Sequence, residues 1–189
     1  IEPPWPAQVA GVSFSPIRGD QDPTIGEFPS NAEIDADLAL LSRDVRGVST
    51  YTVHATMAEV PRLAAAHDLT VTLGDWLNDQ ADFHTAEVER LLRVYHENRD
   101  PVVRIIVGNE AVYREDQTIT QVAAHIRRVK QSVTVPVSTA EPWHLWLDHP
   151  ELVDGVDFIA VHLLPYWEGV ALDAAVDYAL LRYRQLRDA

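Results

Sequence analysis

Six short, mostly apolar runs alternate with stretches of helical periodicity along the 189 residues, and no other feature constrains the fold as tightly. The strand candidates are Val9–Ser15, Gly47–Val53, Leu69–Leu73, Val103–Val107, Val135–Ser138 and Phe158–Val161. Short apolar runs of this kind suit parallel strands buried on both faces. Helical patterns fill the gaps. Ser30 and Glu33 predict a capping box ahead of Ile34, Leu38 and Leu41, and Thr56 and Glu59 stand in the same relation with Pro61 close behind. A third helix is expected from about Thr85, with Val88, Leu91, Leu92 and Tyr95 on one face. A fourth opens at Thr118–Gln121 and turns Val122, Ile126 and Val129 inward. Trp143–Leu152 allows only a short, proline-bounded helix, and a last one carries Val176, Leu180 and Tyr183. There is no internal repeat, low-complexity tract or linker.

Such βα units build a parallel sheet, either doubly wound or closed as a barrel. A doubly wound dinucleotide fold would place G-x-G-x-x-G after its first strand, where this chain reads Ser13-Phe14-Ser15-Pro16-Ile17-Arg18-Gly19-Asp20. No P-loop occurs either. The expected class is therefore α/β, of the (β/α)8 TIM-barrel type, with about the first six βα units present. Composition narrows the chemistry. The 15 basic and 29 acidic residues give a net charge of −14, which disfavours nucleic acid because phosphate binding needs clustered Lys and Arg. Without cysteine there is no disulfide, thiolate metal site or cysteine nucleophile. No apolar run approaches the ~20 residues of a membrane span. No signal peptide is visible, and the start at Ile1 reads as a trimmed N-terminus.

In a parallel α/β fold the ligand site lies at the carboxyl ends of the strands. Those ends hold Asp20 after the first candidate, Tyr51 and His54 after the second, and Asp75, Trp76 and Asp79 after the third. Asn109-Glu110 follows the fourth, Glu141, Trp143 and His144 the fifth, and His162, Tyr166, Trp167 and Glu168 the sixth. Aromatic platforms with convergent acids and amides suit carbohydrate, which offers apolar faces and hydroxyls together. Glu110 is placed to protonate a glycosidic oxygen, with Asn109 beside it to meet a sugar hydroxyl. Other readings stand beside these. Asp75 and Asp79 fit sugar-hydroxyl acceptors or loop caps; Trp76 and Trp143 fit stacking platforms or rim packing; Trp146 fits packing. His54, His144, His149 and His162 raise a metal site, but Val9–Ser15 has no histidine, where barrel metallohydrolases carry His-x-His. His162 is alternatively placed to hydrogen-bond near Glu110.

The chain resembles glycoside hydrolase family 17, the β-1,3-glucanases and β-1,3-glucanosyltransferases, and most closely their bacterial branch. The resemblance is carried by Gly11–Pro16 with Arg18–Pro23, Gly74-Asp75-Trp76-Leu77, Val107-Gly108-Asn109-Glu110, Ser138–Trp143 and Ala160–Trp167, in family order. It implies a retaining mechanism on a (β/α)8 barrel without metal or organic cofactor. Glu110 matches the acid/base and Asn109 the amide that orients the 2-OH. Tyr166 matches an aromatic bordering the substrate, and Tyr51 a strand-two tyrosine, although Arg46–Tyr51 is looser than the family's Arg-Thr-Tyr. Asp20, Asp75, Trp76, Glu141, Trp143, His162 and Trp167 complete the expected substrate-binding set. The implied partner is a β-1,3-linked gluco-oligosaccharide or glucan, in the periplasm, at the cell envelope or outside the cell.

The family's nucleophile is a Glu at the end of the seventh strand, and no residue up to Ala189 matches it. Glu141 and Glu168 follow strands five and six, the wrong positions for that role. At roughly 30 residues per unit, two further βα units would reach the ~250 residues usual for this barrel. Residues 1–189 are therefore expected to form one incomplete barrel domain, with the nucleophile beyond residue 189. Its open edges predict a completing C-terminal segment or self-association. Two other functions stand beside the enzyme: a catalytically incomplete β-glucan-binding module and a metal-dependent barrel hydrolase.

Overall fold

The computed structural model describes residues 6–189. Six parallel strands form one sheet in the order β1 to β6: Val12–Ser13, Gly47–Ser49, Thr70–Asp75, Val102–Asn109, Val137–Pro142 and Ala160–His162. Each strand pairs with the next in sequence, the topology of a (β/α)8 barrel, and the sheet curls as a half-barrel. Seven helices surround it: α1 Asn31–Leu41, α2 Val60–Ala65, α3 Ala81–Glu97, α4 Ile119–Lys130, α5 Trp143–Asp148, α6 Pro150–Val153 and α7 Ala175–Asp188.

Both faces of the sheet follow from strand alternation. Val71, Leu73, Ile105, Val107 and Val137 are fully excluded from solvent. They belong to one core with Ile34 and Leu38 of α1, Val88 and Leu91 of α3, and Val122, Ile126 and Val129 of α4. The concave face is different. Ser13, Ser49, Thr72, Gly74, Ala140 and Ala160 line a cavity of about 220 Å³, and only Arg104, Ile106 and Phe158 add bulk low in it. The mouth of this hollow is where the strand ends converge.

The first and fourth capping boxes form. Ser30 Oγ accepts from Glu33 N at 3.3 Å while Glu33 Oε2 accepts from Ser30 N at 2.8 Å, and Thr118 and Gln121 repeat the pattern. The box expected at Thr56–Glu59 does not. Thr56 instead donates to the Pro29 carbonyl at 2.7 Å, Ala55–Glu59 winds as a 3-10 turn, and α2 starts with Pro61 in its first turn. The α3 helix begins at Ala81, four residues before the expected Thr85.

Strand boundaries move too. The expected Val9–Ser15 run reduces to Val12–Ser13 plus one isolated bridge, Val9 to Val45. Strands β4 and β5 run further than expected, to Asn109 and Pro142, because their last residues still find backbone partners on the neighbouring strand. Within α7, the apolar face foreseen at Val176, Leu180 and Tyr183 is exposed, Val176 at 69%. That helix docks instead through Arg182, 3.9 Å from the centre of the Trp143 ring, and through Leu186, which packs against the core.

Candidate active site

Glu110 sits where β4 stops being regular. Ile106 pairs with Ser138 but Asn109 pairs with Ala140, so β4 carries one extra residue, a bulge at Gly108. Gly108 has φ +80° and Glu110 φ +54°, both left-handed. Glycine adopts that region freely, whereas a glutamate does so only under restraint from its surroundings. Nearly every backbone group of the turn is tied. Gly108 N donates to Asp75 Oδ1 at 2.7 Å and Thr139 Oγ1 donates to Gly108 O at 3.0 Å. Arg114 Nη1 donates to Asn109 O, Glu110 N donates to Ala140 O at 2.7 Å, and Arg114 N donates to Glu110 O at 2.8 Å.

The bulge aims the Glu110 side chain across the mouth of the hollow to β6, where its Oε1 lies 2.5 Å from His162 Nδ1. Oε2 makes no hydrogen bond to the described residues, so it is free to meet a ligand. Asn109 and Tyr51 line both the concave hollow and an adjoining apolar pocket of about 370 Å³. Neither side chain is hydrogen-bonded among the described residues. Trp76 closes that pocket with Phe14 and Phe28. Arg114 covers one face of the Trp76 ring at 4.1 Å, and its guanidinium also reaches Leu77 O and Asp116.

On the other side of Glu110 a second pocket, about 380 Å³, is lined by Tyr113, His144, His162, Leu164, Trp167 and Glu168. Tyr166 and Trp167 are 81% and 78% exposed with their rings in T-shaped contact, a bare aromatic corner. Trp143 is less available than expected. One face lies under Arg182, and its Nε1 donates to Glu168, which also receives the Tyr178 hydroxyl.

Two residues expected on the substrate lie beneath the site. Asp75 and Glu141 are completely buried, because the strand extension that carries β3 and β5 further places them inside the sheet. Glu141 accepts from Val112 N at 2.9 Å and Tyr113 N at 3.2 Å, so it holds the backbone that follows Glu110. Burial raises its pKa, opposed by those two N–H groups and assisted by the nearby Glu110 charge. Burial pushes Asp75 up to about 8, against the pull of the Gly108 N–H and with a push from the charge of Glu87. Asp20 lies in the exposed turn after β1 and lines none of these cavities.

Two supports escape a reading of strand ends, Arg114, four residues past Glu110, and Glu87, mid-helix in α3; Thr139, read at the end of the fifth strand, lies inside β5. Glu87 is wholly buried; its Oε1 accepts from Val53 N at 2.9 Å and from the Thr52 hydroxyl, and its Oε2 pairs with Arg90 at 2.7 Å. It thereby fixes the segment that follows Tyr51. An acid on the apolar face of a helix, next to Val88 and Leu91, was its only signal. The histidines disperse: His54 to Arg90, His149 to Glu151, His144 against Tyr113 and Trp143, and His162 to Glu110. Among the described residues no three His, Asp or Glu side chains converge as metal ligands.

The family model of the BtgE/BtgC glycoside hydrolase domain matches residues 11–189. A glucan 1,3-beta-glucosidase, BGL2, of Candida albicans is 29% identical over 151 residues, covering 71% of this chain and 49% of its own length. A probable glucan endo-1,3-beta-glucosidase, btgC, of Aspergillus terreus is 25% identical over 187 residues, covering 89% of this chain and 28% of its own. The chain thus spans about half or less of these two curated relatives. An active-site mutant of a Rhizomucor miehei beta-1,3-glucanosyltransferase, solved with laminaritriose, superposes with a TM-score of 0.82 at 26% identity. That match covers 95% of this chain and 66% of the other.

Proposed function

The chain belongs to the BtgE/BtgC glycoside hydrolase domain family, within glycoside hydrolase family 17, and on that premise we propose that it is the acid/base-bearing part of a retaining hydrolase or transglycosylase acting on β-1,3-glucan. The observation that carries this reading is Glu110: a carboxyl on a restrained left-handed turn, bridged to His162 at 2.5 Å, with one oxygen free between two aromatic-lined pockets.

In the proposed reaction a β-1,3-linked gluco-oligosaccharide lies across the mouth of the barrel. Its rings rest against Trp76 and Tyr51 on one side and Trp167 and Tyr166 on the other. Asn109 takes the 2-OH of the sugar at the cleavage point. Glu110 donates its proton to the glycosidic oxygen as that bond breaks, and later accepts a proton from the incoming water or sugar hydroxyl. His162 fixes the carboxyl. No metal or organic cofactor has a role.

Retention needs a second carboxyl about 5–5.5 Å from the first. Among the described residues, Glu141 and Asp75 are buried in backbone contacts and Glu168 is held by Trp143 and Tyr178. The nucleophile is therefore proposed to come from sequence beyond residues 1–189, which would form one incomplete barrel domain. A completing C-terminal segment, or self-association through the β1 and β6 edges, would close the sheet. The substrate places the protein in the periplasm, at the envelope or outside the cell.

The test uses the full-length protein on laminari-oligosaccharides, with product anomers followed by proton NMR. Products retaining the β configuration are expected. Inverted products, or turnover that disappears with a bound stoichiometric metal, would overturn the reading. That no second carboxylate stands free beside Glu110 among the described residues favours one alternative, a β-glucan-binding module. Tight oligosaccharide binding without any turnover in the full-length form would establish that instead.

A further inference from the structure

The turn that presents Glu110 rests on a buried acid with an oxygen to spare. Asp75 Oδ1 takes the Gly108 N–H at 2.7 Å, whereas Asp75 Oδ2 is buried and has no hydrogen-bond partner. A charged carboxylate would leave that second oxygen without solvent or donor, a costly arrangement in a protein interior. Among the described residues no nearby cation compensates. Glu87 faces Asp75 from α3 and repels it, and the Arg90 beside Glu87 is already paired with it. Arg114 is spent on Asn109 O, Leu77 O and Asp116, and Glu110 across the mouth is bridged to His162. Arg104 lies lower in the hollow, stacked on Phe158 at 5.5 Å, and Tyr51 closes the side toward β2. A neutral carboxylic acid fits this setting better: its carbonyl oxygen accepts from Gly108, and an unpartnered buried hydroxyl costs far less than an unpartnered buried charge.

We propose that Asp75 is a positioning residue that acts as a neutral carboxylic acid, its Oδ1 holding the Gly108 N–H and so keeping the left-handed Gly108–Asn109–Glu110 turn in the shape that presents Glu110. The contact is the turn's tie to β3, while its other ties run to β5 and to the Arg114 segment. Loss of it frees the bulge at its glycine, one residue before Asn109 and two before Glu110. Asparagine reproduces the neutral form, keeping the Oδ1 acceptor with an NH2 in place of the hydroxyl. Alanine removes both.

The kinetic readouts rest on the activity proposed above, so the test includes one that does not. In the full-length protein labelled with ¹⁵N, the Gly108 amide resonance is followed from pH 3 to 10. It is expected to move with a midpoint near 8, the value to which burial raises Asp75, and to stay still in Asp75→Asn. On laminari-oligosaccharides, Asp75→Ala is expected to lose about tenfold or more in kcat with KM changed by less than about threefold, a loss confined to the reacting centre. Asp75→Asn is expected to recover most of that kcat and to lose any alkaline fall near pH 8 that the parent shows. A Gly108 midpoint below about 5, the ordinary carboxylate range, would overturn the proposal. Asp75→Asn as inactive as Asp75→Ala would overturn it too. If the parent itself lacks turnover, the functional reading fails, and the amide titration of parent and Asp75→Asn still decides this one.

Discussion

Gly74→Ala isolates how closely the strands that carry the site approach one another. Gly74 is the residue before Asp75, and a Cβ built on it would stand 2.1 Å from the Thr50 carbonyl oxygen and 3.0 Å from its carbon. Real Cβ atoms essentially never come within 3.0 Å of such a neighbour, so β2 and β3 must part by about 1 Å. Two buried bonds bridge that seam, Gly74 N to Thr50 Oγ1 and Thr50 N to Thr72 O, both at 3.0 Å. A 1 Å displacement carries both beyond hydrogen-bonding distance. Overpacking against backbone costs about 1–3 kcal/mol, and each buried group left unpaired adds about 1 kcal/mol or more. The total is about 4 kcal/mol, which for a domain of this size lowers Tm by about 8–16 °C. Thermal melting followed by circular dichroism, with urea titration for ΔG, measures it. Gly19→Ala is the control, because a Cβ there meets nothing within 4 Å, and it should stay within about 0.5 kcal/mol of the parent. A Gly74→Ala protein melting within about 2 °C of the parent would refute the close approach on which the placement of Tyr51 and Asp75 depends.

Glu110→Gln should lower turnover of laminari-oligosaccharides by about 10²–10⁴ while calorimetric binding changes only a few-fold; equal turnover would remove Glu110 from the mechanism. Glu87→Ala leaves Arg90, the Val53 N–H and the Thr52 hydroxyl without their partner, and urea unfolding should show a loss of about 3–5 kcal/mol, with Glu87→Gln losing less. Stability should also fall as pH rises from 5 to 8. Over that window the unfolded chain has released a proton that the native state keeps on Asp75, so the unfolded state gains. The Asp75 share is on the order of 4 kcal/mol. Urea melts at the two pH values should differ in that sense, and the slope should flatten in Asp75→Asn; a parent that gains stability toward pH 8 would contradict the buried neutral acid. Glu33 and Asp157, whose pKa values are lowered by hydrogen bonds, act only at lower pH, whereas His125, lowered by burial, opposes the trend at the acidic end of the window, so the Asp75 share is read from the difference between parent and Asp75→Asn. Finally, Trp167→Ala should raise KM several-fold with an unchanged Tm, since its ring is 78% exposed and supports little of the core.

Much of the architecture is legible because it depends on periodicity. The capping boxes at Ser30 and Thr118 and the inward faces of α3 and α4 are local patterns that appear in the structure where the pattern lies, and each of the six apolar runs yields a strand with shifted ends. Failures occur where a side chain finds a partner far away in sequence. Thr56 left its expected cap for the carbonyl of Pro29, 27 residues back, and the last helix turned Arg182 rather than Leu180 toward its neighbour. The same limit divides the site. Glu110, Asn109, Tyr51, Trp76 and Trp167 could be named from their place after a strand. The role of an acid within reach of a strand end could not be read that way: Asp75 and Glu141 share that address with Glu110 yet serve the backbone, because β3 and β5 continue past the expected stops and carry them inside.

From the sequence alone came the class of fold, the alternation that builds a parallel sheet, and the set of strand ends that gathers around Glu110. Those depend on spacing along the chain, which residue order carries in full. The tertiary structure decided which of those residues meet. It set the bulge at Gly108, the left-handed Glu110, its bridge to His162 on a strand 52 residues away, and the buried acids beneath. Such features depend on how neighbouring strands stagger and how far solvent is excluded between them. Neither property belongs to any one segment, and so no local pattern encodes it.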